Sequence, residues 1–286
     1  MIVLDGATGT ELARRGVDTR GKLFSAQALL SDEGIAALRE VHRDYVRAGA
    51  QVITANTFRT NPRAAGARWR ELTSQAVRMA REAGGIVAGS IAPITDCYTP
   101  YRRDPPIEAL HEEFSLLAQA LANDGCDLLM VETVTDDFQG HAAAMASDAT
   151  GLPVWVSVSV PPSGKLRDGS DLPSFFRSLR NLEHVSAVLI NCTPCDGIDL
   201  ALDAAAASGL PFGAYANMGE IDPATGWPST PVLSPEEYAA RAKRWIDRGA
   251  TIVGGCCGTT PAHIEALAKI SPERHDPCHP DRRLEK

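Results

Sequence analysis

The stretch Gly249-Ala250-Thr251-Ile252-Val253-Gly254-Gly255-Cys256-Cys257-Gly258-Thr259-Thr260-Pro261 joins a helix, a strand and another helix. Gly249 stands just past a helical pattern at 235–248, where a glycine at C′ is favoured. Thr251–Gly258 is a short apolar run of the kind that forms strands. Thr260-Pro261 then sets an N-cap and a proline at N1, opening a helix at 261–270. A strand flanked by helices on both sides is the repeating unit of a parallel sheet.

The same order repeats upstream. Strand-like runs are expected at Ile2–Ala7, Gln51–Asn56, Ile86–Pro93, Asp127–Thr133, Val154–Val160, Ala187–Thr193 and Phe212–Asn217. Helical patterns separate them near 32–48, 71–84, 106–124, 137–149, 173–182, 197–208 and 235–248. Ser234-Pro235-Glu236-Glu237 supplies a cap, an N1 proline and first-turn acids. Near-continuous apolar strands imply that both faces of the sheet are covered. Eight such units predict a single-domain α/β chain with a (β/α)8 TIM-barrel fold. The rival is an open, doubly wound sheet, but no Gly-x-Gly-x-x-Gly follows the first strand. The barrel is expected over residues 1–272, followed by a polar tail, 273–286. Pro161–Asp171 and Glu220–Leu233 read as long loops on the C-terminal side of their strands.

Composition narrows the function. The 286 residues are 44% hydrophobic and 22% charged, with a net charge of −8. That acidity argues against a nucleic-acid binder. No apolar run reaches the ~18 residues of a membrane helix, and the N-terminus lacks a basic, cleavable leader. A soluble, cytoplasmic protein is expected.

Seven cysteines in such a compartment point to metal or catalysis before disulfides. Cys256 and Cys257 close the eighth strand, and Cys192 closes the sixth, in Ile190-Asn191-Cys192-Thr193-Pro194. In a barrel these strand ends meet at one face. Three thiolates with one exchangeable position suit a catalytic Zn²⁺. A thiol bound there would lose its proton and become a nucleophile at neutral pH. Cys195, Cys97, Cys126 and Cys278 are left outside the cluster, and no histidine is assigned to the metal. A zinc hydrolase on the same barrel would more commonly use His and Asp ligands.

The chain resembles the homocysteine S-methyltransferase family along nearly its whole length. The likeness rests on Asp5-Gly6-Ala7-Thr8-Gly9-Thr10-Glu11-Leu12, Ala55-Asn56-Thr57-Phe58, Gly89-Ser90-Ile91-Ala92-Pro93, Glu132-Thr133, Asn191-Cys192, Tyr215-Ala216-Asn217-Met218-Gly219-Glu220 and Gly254-Gly255-Cys256-Cys257-Gly258-Thr259-Thr260-Pro261. The resemblance implies a TIM barrel holding Zn²⁺ on Cys192, Cys256 and Cys257. It implies that Asp5 and Glu132 hold the substrate ammonium, that the amides of Gly6 and Ala7 receive its carboxylate, and that Asn217 lies near the metal. The implied reaction methylates the thiol of homocysteine, giving methionine.

The donor is less directly written. Phe24 stands where betaine-using members have tryptophan, and the stretch after the second strand, where the resemblance would place a cage tyrosine, reads Thr57-Phe58-Arg59-Thr60-Asn61, with Arg59 repelling a cation, so a quaternary ammonium is disfavoured. A sulfonium donor, S-methylmethionine or S-adenosylmethionine, fits the stand-alone length. The alternatives are a subunit that activates homocysteine for a separate methyl-corrinoid protein, and a non-catalytic zinc- or thiol-binding barrel. Arg59 is an awkward neighbour for any cationic donor.

Overall fold

The computed structural model describes residues 1–94, 97, 101, 104–161, 163–219 and 233–270. Among these residues, eight parallel strands follow one another around a single sheet. They are β1 (Ile2–Val3), β2 (Val52–Ala55), β3 (Ile86–Ile91), β4 (Leu128–Val134), β5 (Val154–Val158), β6 (Val185–Pro194), β7 (Phe212–Asn217) and β8 (Ile252–Gly255). The ring closes between the first two strands. Gln51 N–H donates to Val3 O at 2.8 Å and Asp5 N–H to Val52 O at 3.0 Å. The expected TIM barrel is therefore the observed one.

The principal outer helices are α1 (Thr8–Arg14), α2 (Asp32–Arg47), α3 (Pro62–Ala65), α4 (Trp69–Ala83), α5 (Ile107–Asn123), α6 (Asp137–Asp148), α7 (Leu172–Ser178), α8 (Ile198–Ala206), α9 (Pro235–Asp247) and α10 (Pro261–Lys269). The start of α9 carries the full reciprocal cap. Ser234 Oγ accepts the Glu237 N–H, and Glu237 Oε2 accepts the Ser234 N–H. At α10 the N3 partner is His263, whose Nδ1 accepts the Thr260 N–H at 3.2 Å while Nε2 meets Leu233 O at 3.1 Å. This histidine caps a helix.

Three expectations about boundaries need correction. The first strand ends at Val3, not Ala7, because Ala7 is already the N-cap of α1. The eighth ends at Gly255, so Cys256 and Cys257 lie in the turn beyond it. The sixth is longer than expected and carries Cys192 within its irregular end. The seven-residue α1 and the 3₁₀ turn at Phe24–Leu30 were not anticipated. Most of the loop Glu220–Leu233 and the whole tail 273–286 lie outside the described residues.

Alternation along the strands builds the interior. Side chains two residues apart share a face. Leu4, Val52, Ala88, Leu128, Met130, Trp155, Leu189, Tyr215 and Ile252 fill the barrel, while Val87, Leu129, Val131, Val156 and Val188 pack outward on the helices. Continuing the inward set towards the strand C-termini gives Thr54, Ser90, Glu132, Ser157 and Asn191. The barrel thus has an apolar plug below and a polar layer above. Among the described residues no helix is long and apolar enough to cross a membrane.

Candidate active site

The polar layer is hydrogen-bonded to itself. Glu132 Oε1 accepts from Ser90 Oγ, and Oε2 accepts from Tyr215 OH at 3.2 Å. Asp5 accepts the Thr54 N–H at 2.7 Å and the Thr54 hydroxyl at 2.9 Å. Burial dominates both acids. It pushes each carboxyl up to about 7, against the lowering effect of these hydrogen bonds. Two buried acids poised near neutrality, with no basic side chain among these contacts, form a pocket ready for a cation.

Above them stands the cysteine turn, held from several elements. Cys256 N–H donates to Ala216 O of β7 at 3.0 Å, and Met218 N–H donates to Cys257 O at 2.9 Å. Thr259 Oγ1 donates to Cys256 O at 2.7 Å. From α1, Thr10 Oγ1 accepts the Gly258 N–H at 3.0 Å, and Arg14 donates to Gly258 O at 2.7 Å. Gly255 must be glycine, since a Cβ there would lie 2.3 Å from Thr259 Oγ1. Gly258 has φ +90°, a conformation costly for other residues.

The turn brings Cys256 and Cys257 towards Cys192. The three Sγ atoms all lie within 4.8 Å of one another, and the adjacent pair is 3.9 Å apart. A tetrahedral Zn²⁺ with bonds of about 2.3 Å sets its thiolates ~3.8 Å apart, so the cluster closes on an ion with sub-ångström adjustment. A further donor stands beside it. Asn217 Nδ2 is 3.8 Å from Cys192 Sγ, while its buried Oδ1 has no hydrogen-bond partner. Leaving such an oxygen orphaned costs ~1–3 kcal/mol, which a cation at the cluster would offset. Hydrogen bonding with Cys192 pushes the Cys256 and Cys257 thiols well above their ordinary range. A bound divalent cation reverses that preference. The residues fit a zinc ion.

The cluster and both acids open on one cavity of about 900 Å³, which Gly6 and Ala7 also line. The Ala7 N–H is engaged by Thr259 Oγ1 at 3.2 Å, a contact not foreseen. Cys195 stays outside the cluster. Its thiol donates to Asn217 O at 3.6 Å, and burial raises it to about 12. Cys126 is likewise raised to about 12 by burial. Cys278 lies outside the described residues. The sequence reading missed Thr54, Ser90, Tyr215, Asn191, Thr10, Arg14 and Thr259. The strand alternation that places Glu132 inward would have found the first four.

Comparison with known proteins agrees with this geometry. Residues 2–271 match the model of the family described as homocysteine S-methyltransferase. The homocysteine S-methyltransferase of Escherichia coli (strain K12) is 32% identical over 93% of this chain and 94% of its own length. A selenocysteine Se-methyltransferase of Brassica oleracea var. italica is 27% identical over 93% of this chain and 88% of its own length. The crystal structure of the metallated homocysteine methyltransferase MmuM from Escherichia coli superposes with a TM-score of 0.81, at 30% identity, covering 95% of this chain and 96% of that one. With its barrel, its three-sulfur cluster and its full-length match, the chain belongs to the homocysteine S-methyltransferase family and is a methyltransferase.

Proposed function

We propose that this protein is a zinc enzyme that moves a methyl group from a sulfonium donor, S-methylmethionine or S-adenosylmethionine, to homocysteine, giving methionine. The reading is carried by the cluster of Cys192, Cys256 and Cys257 in a cavity shared with Asp5 and Glu132. Bound on these cysteines, Zn²⁺ supplies the positive charge that keeps the substrate thiol deprotonated at neutral pH. With zinc held by the three cysteines, Asn217 would lend it an oxygen when no thiol is bound.

The chain's own residues then orient the acceptor. Asp5 and Glu132 receive its ammonium, in charge-assisted hydrogen bonds that draw both carboxyls to the ionised form. The Gly6–Ala7 turn receives its carboxylate, with the Ala7 N–H shared with Thr259. Holding both ends leaves the sulfur facing the donor. That sulfur attacks the methyl carbon in line. One S–C bond forms as the other breaks, and the bonding pair stays on the donor sulfur, which leaves as a neutral thioether. That leaving group needs no proton, and among the described residues no histidine lines the cavity. The same reading places the enzyme in the reducing cytoplasm, where thiolate ligands survive.

The test is methionine formation by zinc-loaded, reduced protein with homocysteine and a panel of donors. We expect turnover with a sulfonium and none with betaine. Cys257→Ser should lose zinc and at least ~10³-fold in rate, the scale of removing a group that stabilises transition-state charge. Full zinc content with full activity in that variant would sink the reading. Turnover confined to a methyl-corrinoid protein would replace the donor.

A further inference from the structure

The turn after β1 and the cysteine turn after β8 interlock. The Gly255 N–H donates to Asp5 O at 3.0 Å. Between the two segments lies Thr259, fully buried. Its hydroxyl donates to Cys256 O at 2.7 Å and accepts the Ala7 N–H at 3.2 Å. Glycine on the facing turn makes room for that oxygen, since a Cβ at Gly6 would lie 2.9 Å from it. The backbone of Thr259 is pinned as well. Its N–H donates to Cys256 O at 3.1 Å, and its carbonyl accepts from Arg14 at 3.3 Å. Ala7 is held from its other side, where Ala7 O accepts from Tyr45 OH at 3.0 Å.

These contacts make one directional chain, from Ala7 N–H through the Thr259 hydroxyl to Cys256 C=O. A hydroxyl has a single proton, so with that proton on Cys256 O only lone pairs face Ala7. Each bond polarises the next, and a change at one end is felt at the other. The ends are the two halves of the site. The Cys256 carbonyl belongs to the peptide that joins Cys256 to Cys257, two members of the sulfur cluster. The Ala7 N–H belongs to the turn that lines the cavity beside Asp5. Fixing both sulfurs fixes the peptide between them, and Thr259 carries that constraint to Ala7. We propose that Thr259 is a positioning residue coupling the two halves: filling the cysteine cluster with zinc orders the turn that receives the acceptor's carboxylate. This rests on the acceptor reading above.

The probe is 2-aminobutyrate, which is homocysteine without its thiol. It cannot ligate zinc through sulfur, so zinc changes its affinity only through the protein or through the ion's field. Calorimetry gives its Kd in the metal-free and zinc-saturated forms of wild type, Thr259→Val and Thr259→Ser. In wild type, zinc should tighten binding ~3–10-fold, the net worth of one hydrogen bond. By linkage, 2-aminobutyrate should tighten zinc by the same factor. Serine keeps the hydroxyl and should keep the effect. Valine keeps the shape without the hydroxyl and should reduce the effect below about twofold. The ion's field is common to all three proteins, so the difference between valine and serine isolates the hydroxyl. An equal zinc effect in Thr259→Val and wild type, or none in wild type, overturns the coupling. If 2-aminobutyrate binds neither form of wild type, the acceptor reading itself fails and the coupling falls with it. Should Thr259→Val not fold, hydrogen exchange of the Ala7 amide in wild type decides. Zinc should slow that exchange severalfold, and unchanged exchange refutes the proposal.

Discussion

The side-chain amide of Asn191 clamps Thr133 across the barrel mouth. Asn191 Oδ1 accepts the Thr133 N–H at 3.0 Å, and Nδ2 donates to Thr133 Oγ1 at 2.9 Å. Each partner adjoins a functional side chain. Thr133 follows Glu132, and Cys192 follows Asn191. Thr133 and Cys192 both have positive φ, +61° and +47°. That region is strained for non-glycine residues, and more so for a β-branched one, at ~1–3 kcal/mol each. Strained strand ends aim the acid and the thiol, and the clamp holds them there.

Asn191→Ala should therefore damage the site beyond its volume. It removes the partners of the Thr133 amide and of Ser157 Oγ, which donates to Oδ1 at 2.8 Å. A buried amide left unpaired costs ~1–3 kcal/mol. Urea unfolding should show a loss of that size. Zinc retention after dialysis should fall as well, because Cys192 loses its fixed backbone. Unchanged zinc retention with a purely global destabilisation would refute the clamp.

With Asp5 and Glu132 holding the acceptor's ammonium, as proposed above, its binding should depend on pH. Both carboxyls titrate near 7 in the ligand-free protein. Ammonium binding needs the ionised form, so the homocysteine KM should rise as pH falls below 7 and level off above it. Asp5→Asn should raise that KM ~10–100-fold and remove part of the pH dependence. Their linkage to stability has the same origin. The folded state holds these protons more tightly than the unfolded chain does. The stability they contribute is complete below the ordinary carboxyl pKa and is lost as pH rises through about 7.

His42 should act in the opposite sense. It is fully buried on α2, neither ring nitrogen has a hydrogen-bond partner, and burial pushes its pKa down to about 4. Between about 6.5 and 4 the unfolded chain takes up a proton that the folded protein refuses. Stability should fall by about 3 kcal/mol as pH drops through that window. His42→Leu should abolish this slope and leave the protein more stable at pH 5. Denaturant unfolding of both proteins at pH 5 and pH 7.5 measures it.

Tyr238 ties the last two strands together below the cysteine turn. Its hydroxyl accepts the Ala216 N–H at 3.0 Å and donates to Gly254 O at 2.7 Å. Tyr238→Phe keeps the ring packed on Trp245 and His263 but loses both bonds. We expect ~1–3 kcal/mol lower stability and faster loss of zinc to a chelator, since β7 and β8 carry Asn217 and lead into Cys256. Chelator kinetics at fixed temperature would show it.

The sequence by itself determined the barrel. Near-continuous apolar strands, caps such as Ser234-Pro235 and the glycines past several of the helices are local signals, and eight repeats of them leave few topologies. It also marked the three cysteines, because Gly-Gly-Cys-Cys-Gly and a strand-end Cys are unusual groupings. It left the short elements unread. In α1, seven residues starting at a Gly-Ala turn form a helix because Thr10 and Arg14 dock on the turn after β8, some 245 residues away. Only the tertiary structure decided that the acids titrate near 7, that Asn217 Oδ1 is orphaned beside the sulfurs, and that Asn191 holds Thr133. Those properties arise from burial and from partners on other strands, and no stretch of chain read alone contains its neighbours in space.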